Sequence, residues 1–256
     1  RDDLVTGVQT CALPILRIAK AADDAAGLAV AESLGAQSAS GRVAMRNTND
    51  GISVIQTAEG AMDSVGDIIS RMRELAVQSS SETLADDERA YIQDEFEQLS
   101  AEVDRIAAAT TFNGTALADG TTTQLDVQVG IMNTANDRIT ITLSDLTAST
   151  LGIDTAAVDL SSASGAQGAI DTFDLALDSV SSYRSDLGAA QNRLDSALSN
   201  METYVENLEG AESQIRDADF AYETAELAKN QILQQAGVSV LAQAKAMNQG
   251  VLSLLG

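Results

Sequence analysis

A mainly α fold is predicted: a long antiparallel helical bundle or coiled coil with a small β-hairpin, drawn out into an elongated rod. Three observations predict it. From Ile170 to Ile215, Phe173, Val180, Leu187, Leu194, Met201, Leu208 and Ile215 recur every seventh residue, with Ala176, Tyr183, Ala190, Ala197, Tyr204 and Ala211 three residues after each of the first six. That alternating 3,4 spacing is the seam of a helix that packs lengthwise on another helix. The same spacing occurs earlier, in Ile55, Met62, Ile69 and Ala76 with Ala58, Val65 and Met72 between them. Period-two alternation, by contrast, is confined to Gln124–Val129 and Arg138–Leu143, two β-branched stretches suited to a hairpin.

Taken in order, the chain opens with residues 1–15, which hold its sole Pro and sole Cys, Pro14 and Cys11. Val5 to Ile15 reads like the translation of a sequencing-adapter oligonucleotide, so 1–15 is set aside as a non-native scar. The Ala-rich stretch from Leu16 is interrupted by Gly27 and Gly35, and the Ser- and Gly-rich run from Gly35 to Gly41 predicts a broken or loosely packed helix. A clean helix is expected over about 42–80. A turn at SSSETLADD follows, with Asp86 or Asp87 capping a second helix of about 87–110, whose seam is Ile92, Phe96, Leu99, Val103 and Ile106. The short connection makes these two helices antiparallel neighbours.

Asn113-Gly114 stops the helical pattern, because both residues tolerate positive φ. The hairpin is placed at about 124–143, and a two-stranded hairpin this small needs the helices for support. Residues 144–167 read as a short linker with a turn near Leu151-Gly152-Ile153. The long helix of about 168–215 would measure roughly 70 Å at ~1.5 Å per residue. Residues 216–256 form a separate C-terminal helix. Its apolar residues Ile232, Leu233, Val238, Leu241, Met247, Val251, Leu252, Leu254 and Leu255 have few charges among them and ask for cover from other molecules. They are the candidate assembly interface.

Composition removes whole classes of function. The chain of 256 residues has no His and one Cys, which excludes Ser-His-Asp and Cys-His catalysis and His- or Cys-ligated zinc. No catalytic residue, metal ligand or cofactor is expected, and the chain is read as not an enzyme. A net charge of −23 argues against nucleic acid and against anionic membrane surfaces as partners. No apolar run approaches the ~18 residues of a membrane helix, and the start is a poor signal peptide. Asp23-Asp24 and Asp217-Ala-Asp219 lack the spacing of a calcium loop and read as helix caps and bends.

The motifs LRIAKAADDAAGLAVAESL, NTNDGISVIQTAEGAM, RMRELAVQSS and EVDRIAAATTFNGTALADG, with nearly all of Leu187 to Gly256, resemble bacterial flagellin, in the family's order. The resemblance covers most of residues 16–256. It implies a structural subunit that packs with other copies into the filament used for swimming. The subunit is secreted to the bacterial flagellum and is met on its way by an export chaperone and the filament cap. It implies pairing of the N- and C-terminal segments in an inner coiled coil. Outer domains inserted mid-chain are expected to be absent here, and the helical stretch that precedes LRI in the family is expected to be replaced by residues 1–15. Rival readings are a hook–filament junction protein, or a soluble acidic helical adhesin or immune ligand.

The resemblance also implies contact with the innate immune receptor Toll-like receptor 5 through Arg71, Leu75 and Glu95. Arg71 and Leu75 are four residues apart and share one side of a helix, so an Arg beside an exposed Leu would make a small hot spot. Read from spacing alone, Leu75 is core edge and the two charges are solvated.

Overall fold

The computed structural model describes residues 16–255, with the side chains of 243–255 outside the description. The scar reading of 1–15 therefore lies outside the described residues. In order, the elements are α1 (Ala25–Ser79), α2 (Asp86–Ala109), β1 (Thr111–Phe112), β2 (Thr115–Ala116), β3 (Gln124–Gln128), β4 (Arg138–Thr142), α3 (Ala148–Leu151), α4 (Ala163–Arg216) and α5 (Phe220–Leu255). The chain divides into two compact units, Gln37–Glu206 and the remainder, Arg1–Ala36 with Asn207–Gly256. This differs from a division at 215/216: Arg17 N donates to Arg216 O at 2.6 Å, its guanidinium donates to Ile215 O at 2.9 Å, and Leu16 bridges Asp217. Residues 207–216 are tied to the start of the chain by these bonds.

The break expected between Gly35 and Gly41 is corrected, because α1 runs through it. The 3,4 repeat does not stop at Ile55. It continues upstream through Gly51, Thr48, Ala44, Gly41 and Ser38, all buried, with residues too small or too polar to register as apolar. The glycines serve close approach. A Cβ on Gly41 would lie 2.5 Å from Val205 Cγ2, and one on Gly51 would lie 2.9 Å from Val127 Cγ2 and 3.4 Å from Leu194 Cδ1. Thr48 is buried at no cost to its hydroxyl, which donates to Ala44 O at 2.8 Å.

Within Gln37–Glu206, Ile55, Met62, Ile69 and Met72 of α1, Ile92, Phe96 and Val103 of α2, and Phe173, Val180, Leu187 and Leu194 of α4 form one buried cluster. Phe96 and Phe173 meet with ring centroids 5.9 Å apart at 57°, a tilted pair. The α4 heptad is buried through Leu194 and again at Leu208, but in the companion series burial slips: Tyr204 is exposed and Val205 buried in its place. A straight helix of 3.6 residues per turn drifts ~20° per heptad from a 3.5 seam, which is enough to hand the inward position to the next residue.

Between α1 and α2, Ala85 and not an aspartate occupies the cap, and Asp86, Asp87 and Glu88 fill the first turn. Glu88 reaches back to accept from Ala85 N at 3.1 Å. Buried Arg89 locks the turn by donating to Ser79 O (3.0 Å), Ser81 O (2.8 Å) and Asp86 Oδ1 (3.1 Å). Asn113 and Gly114 have φ of 49° and 80°, the two-residue turn expected, and they join β1 to β2. β3 and β4 pair antiparallel with Gln124 opposite Thr142 and Gln128 opposite Arg138, turning Val127, Ile139 and Ile141 inward.

Residues 144–167 are more than a linker. Leu146, Ala148, Leu151, Ile153, Val158 and Leu160 are all buried. Side chains of α2 catch their backbone: Asp104 accepts from Ala148 N (2.8 Å), Ser100 donates to Ile153 O (3.3 Å) and Gln93 accepts from Leu160 N (2.8 Å). The expected turn at Leu151-Gly152 is the single helical turn α3, closed by Gly152 in the left-handed region.

Ion pairs staple the helices at the surface. Arg73 donates to both carboxylate oxygens of Asp174, at 2.6 and 3.3 Å, and Arg184 donates to Asp63 at 2.9 Å. The Arg73 hydrogen bonds hold the Asp174 carboxyl below its ordinary 3.8, outweighing an opposing effect of desolvation, and the Arg73 charge adds a smaller push in the same direction.

Two outcomes are expected. Gly41→Leu should lower unfolding stability by ~1–3 kcal/mol through overpacking against Val205, read by denaturant titration. The depressed Asp174 contributes stability that is full above pH ~4 and lost as pH falls through its folded value. Asp174→Asn should therefore flatten the acid side of a melting-temperature profile and leave no extra acid dependence at this pair.

Candidate assembly and receptor-contact surfaces

On the α1–α2 face, Met72 and Ala76 point inward while Arg71 and Glu95 point outward. Arg71 Nε and Nη2 donate to Glu95 Oε1 at 3.0 and 2.8 Å, and Nη1 donates to Glu74 Oε2 at 2.9 Å. The Glu95 hydrogen bond first, then that of Glu74, raises the Arg71 guanidinium above its ordinary value. The result is a pre-oriented, salt-linked pair with one edge in solvent, positioned by two helices at once.

Leu75 does not join it. It is 1% exposed, inside the core cluster, so the expectation of an exposed Leu beside Arg71 is corrected. Four residues at 100° each overshoot one turn by ~40°, and that rotation carries Leu75 from Arg71's outer side to the inner stripe of Met72 and Ala76. Tyr91, which the spacing did not single out, is 74% exposed one turn before Glu95 on α2. Its only sequence signal is negative: it sits beside the Ile92 seam position and not on it.

α5 presents the opposite situation. Asp219 Oδ1 caps its start by accepting from Ala221 N (2.9 Å) and Tyr222 N (3.2 Å), with Glu223 in the first turn. The other suspected carboxylate pair acts likewise: Asp24 Oδ1 accepts from Ala26 N and Gly27 N at 3.0 Å, and Asp23 Oδ2 accepts from Ala19 N and Lys20 N at 3.2 and 3.1 Å. Beyond Lys229, paired with Glu226 at 3.1 Å, no ionisable side chain occurs until Lys245.

Across that stretch Ile232, Leu233, Val238 and Leu241 are exposed, as is Val240, which the sequence reading left out. At ~100° per residue, counting from Ile232, Leu233, Val238, Val240 and Leu241 point to about 100°, 240°, 80° and 180°. The apolar residues thus surround the helix, and a helix apolar all round is a helix meant for burial on several sides. The side chains of Met247, Val251, Leu252, Leu254 and Leu255 lie outside the described residues.

Against known proteins, the profile of the bacterial flagellin N-terminal helical region matches residues 16–123, and that of the bacterial flagellin C-terminal helical region matches 170–255. The chain is 47% identical over 240 residues to the flagellin of Halalkalibacterium halodurans, covering 94% of this chain and 88% of that protein. It is 40% identical over 252 residues to the flagellar filament 33 kDa core protein of Treponema phagedenis, with the same coverage of 94% and 88%. The crystal structure of Bacillus cereus flagellin matches with a TM-score of 0.53 at 30% identity, over 61% of this chain and 88% of that one. Sequence profile, sequence identity and fold agree: the chain belongs to the bacterial flagellin family.

Leu75→Ala should cost ~2–5 kcal/mol of unfolding stability, as for a fully buried Leu, whereas Arg71→Ala should leave the denaturant midpoint where it is. Equal effects of the two substitutions would contradict the inward placement of Leu75.

Proposed function

We propose that the chain is a structural subunit of the bacterial flagellar filament that assembles by burying α5 among neighbouring copies. Family membership supports the filament role. The observation that carries the mechanism is the uncharged and circumferentially apolar stretch from Asn230 to Ala242, whose Ile232, Leu233, Val238, Val240 and Leu241 are all exposed. Burial of such surface is worth ~25 cal/mol per Å², and the absence of like charges there spares the contact the repulsion that a net charge of −23 brings elsewhere. Before assembly the same surface needs protection, which is the role of an export chaperone, and the growing end needs a cap that admits the subunit. The working place is the flagellum outside the cell.

Seeded growth tests the reading. With a flagellin N-terminal helix in place of residues 1–15, purified subunits added to sheared filaments should extend them in electron micrographs. Ile232→Asp and Leu241→Asp should abolish extension while helix content by circular dichroism is unchanged, since exposed positions alter stability by only ~0.5 kcal/mol. Extension by both variants at the parental rate would defeat the mechanism.

The free subunit is also a ligand of Toll-like receptor 5 in this reading, through the Arg71–Glu95 pair, with Leu75 acting from beneath as its packing support. The geometry that supports this is the fixed, half-exposed ion pair spanning two helices. Arg71→Ala and Glu95→Ala should each weaken receptor activation by the monomer by roughly tenfold or more, as hot-spot losses do. Full activity from both variants in a reporter-cell assay would remove the pair from the contact.

A further inference from the structure

Asn-Gly occurs once in the sequence, at Asn113-Gly114. We infer that this turn is a site of spontaneous covalent modification, in which the Asn113 side-chain amide is lost and the chain acquires an aspartate or isoaspartate there. In the reaction, the Gly114 backbone nitrogen gives up its proton and attacks Asn113 Cγ. A new N–C bond closes a five-membered imide, the Cγ–amide bond breaks, and ammonia leaves with the proton. Water then opens the ring at either carbonyl, giving aspartate or, with one extra backbone carbon, isoaspartate. No oxidant and no reactant other than water is required.

The geometry removes the usual obstacles. Asn113 is exposed, and its side chain has no hydrogen-bond partner among the described residues. Around Gly114 nothing lies within 4 Å of where a Cβ would be, so no neighbour crowds the attacking nitrogen. Closure requires the peptide to leave its turn conformation, which is opposed by a ladder of two residue pairs, Thr111 with Ala116 and Phe112 with Thr115, prolonged by one bond from Leu117 N to Thr110 O at 3.0 Å. So short a hairpin opens locally at little cost.

The two Asp-Gly pairs, which could close the same five-membered imide, are held. Asp50-Gly51 lies inside α1 with Gly51 against Val127. Asp119 Oδ1 accepts from Thr121 N (3.0 Å) and Thr121 Oγ1 (2.6 Å), which keep its carboxyl ionised and unreactive, and Gly120 faces Asp145.

The consequence is local. Asn113 lines a groove of about 380 Å³ with Asn47, Asp50, Phe112, Leu125 and Asp126. Modification adds a third carboxylate to that groove, and isoaspartate lengthens a two-residue turn that cannot absorb an extra backbone atom without unpairing β1 from β2.

The test is peptide mapping by mass spectrometry of the full chain held folded at mildly alkaline pH and body temperature, sampled over weeks, beside the same chain in urea. The amide-to-acid mass gain should appear at Asn113 at least ~10-fold faster than at Asn133 and Asn136 of the β3–β4 connection, in two resolved products. Its rate in the folded chain should lie within ~10-fold of that in urea. Asn113→Gln should suppress the matching release of ammonia. A folded chain whose Asn113 stays intact while the urea sample converts, or converts no faster than Asn133 and Asn136, would overturn the inference.

Discussion

The long helices α1, α2 and α4 carry apolar or small positions at a 3,4 interval, and such a stripe must be covered along its whole length. The structure follows from where the cover comes from. On α1 the stripe runs from Ser38 to Ser79 without a gap, and its first half is built from Ser38, Gly41, Ala44, Thr48 and Gly51. Small residues there hold the backbone open to Val205, Leu194 and the β3 residue Val127, which fill the space. The second half, from Ile55 onward, is bulky and takes the aromatic pair Phe96 and Phe173 as its cover. The β3–β4 hairpin, too small to stand alone, therefore has a seat on α1 at Gly51, beside the groove that Gly51 and Val127 both line.

α5 is where cover runs out. Its apolar residues face several directions, so a single helical partner could not bury them, and a multi-neighbour environment is the arrangement that can. This links composition to assembly. The acidic residues that give the chain its charge of −23 lie elsewhere, while the stretch between Lys229 and Lys245 has none. In the proposed assembly, the acidic surface would keep subunits apart and the one uncharged segment would draw them together.

Much of the fold was legible in the sequence because long helices repeat their message many times. The α4 heptad, the α2 seam, the Asn113-Gly114 turn and the strand alternation each follow from one local rule, and the caps at Asp24 and Asp219 follow from short acidic side chains beside helix starts. The upstream half of α1 was not legible, since its seam is carried by Gly, Ser and Thr, which a search for apolar residues reads as interruption. Leu75 was misplaced because a spacing of four was treated as one face, when ~40° of rotation separates outer from inner. The packed role of residues 144–167 depends on Gln93, Ser100 and Asp104 reaching across from α2, a contact no local pattern announces. The exposure of Ile232, Leu233, Val238 and Leu241 was legible as a helical stretch with many apolar residues and few charges.

Backbone hydrogen exchange across Phe220–Ala242, compared between free subunits and assembled filament, reports whether neighbouring copies bury α5. Burial by neighbouring copies predicts fast exchange in the free subunit and protection rising by several orders of magnitude on assembly, concentrated between Asn230 and Ala242. Equal protection in the two states would mean that α5 is already covered within the subunit, and the account of assembly would be wrong.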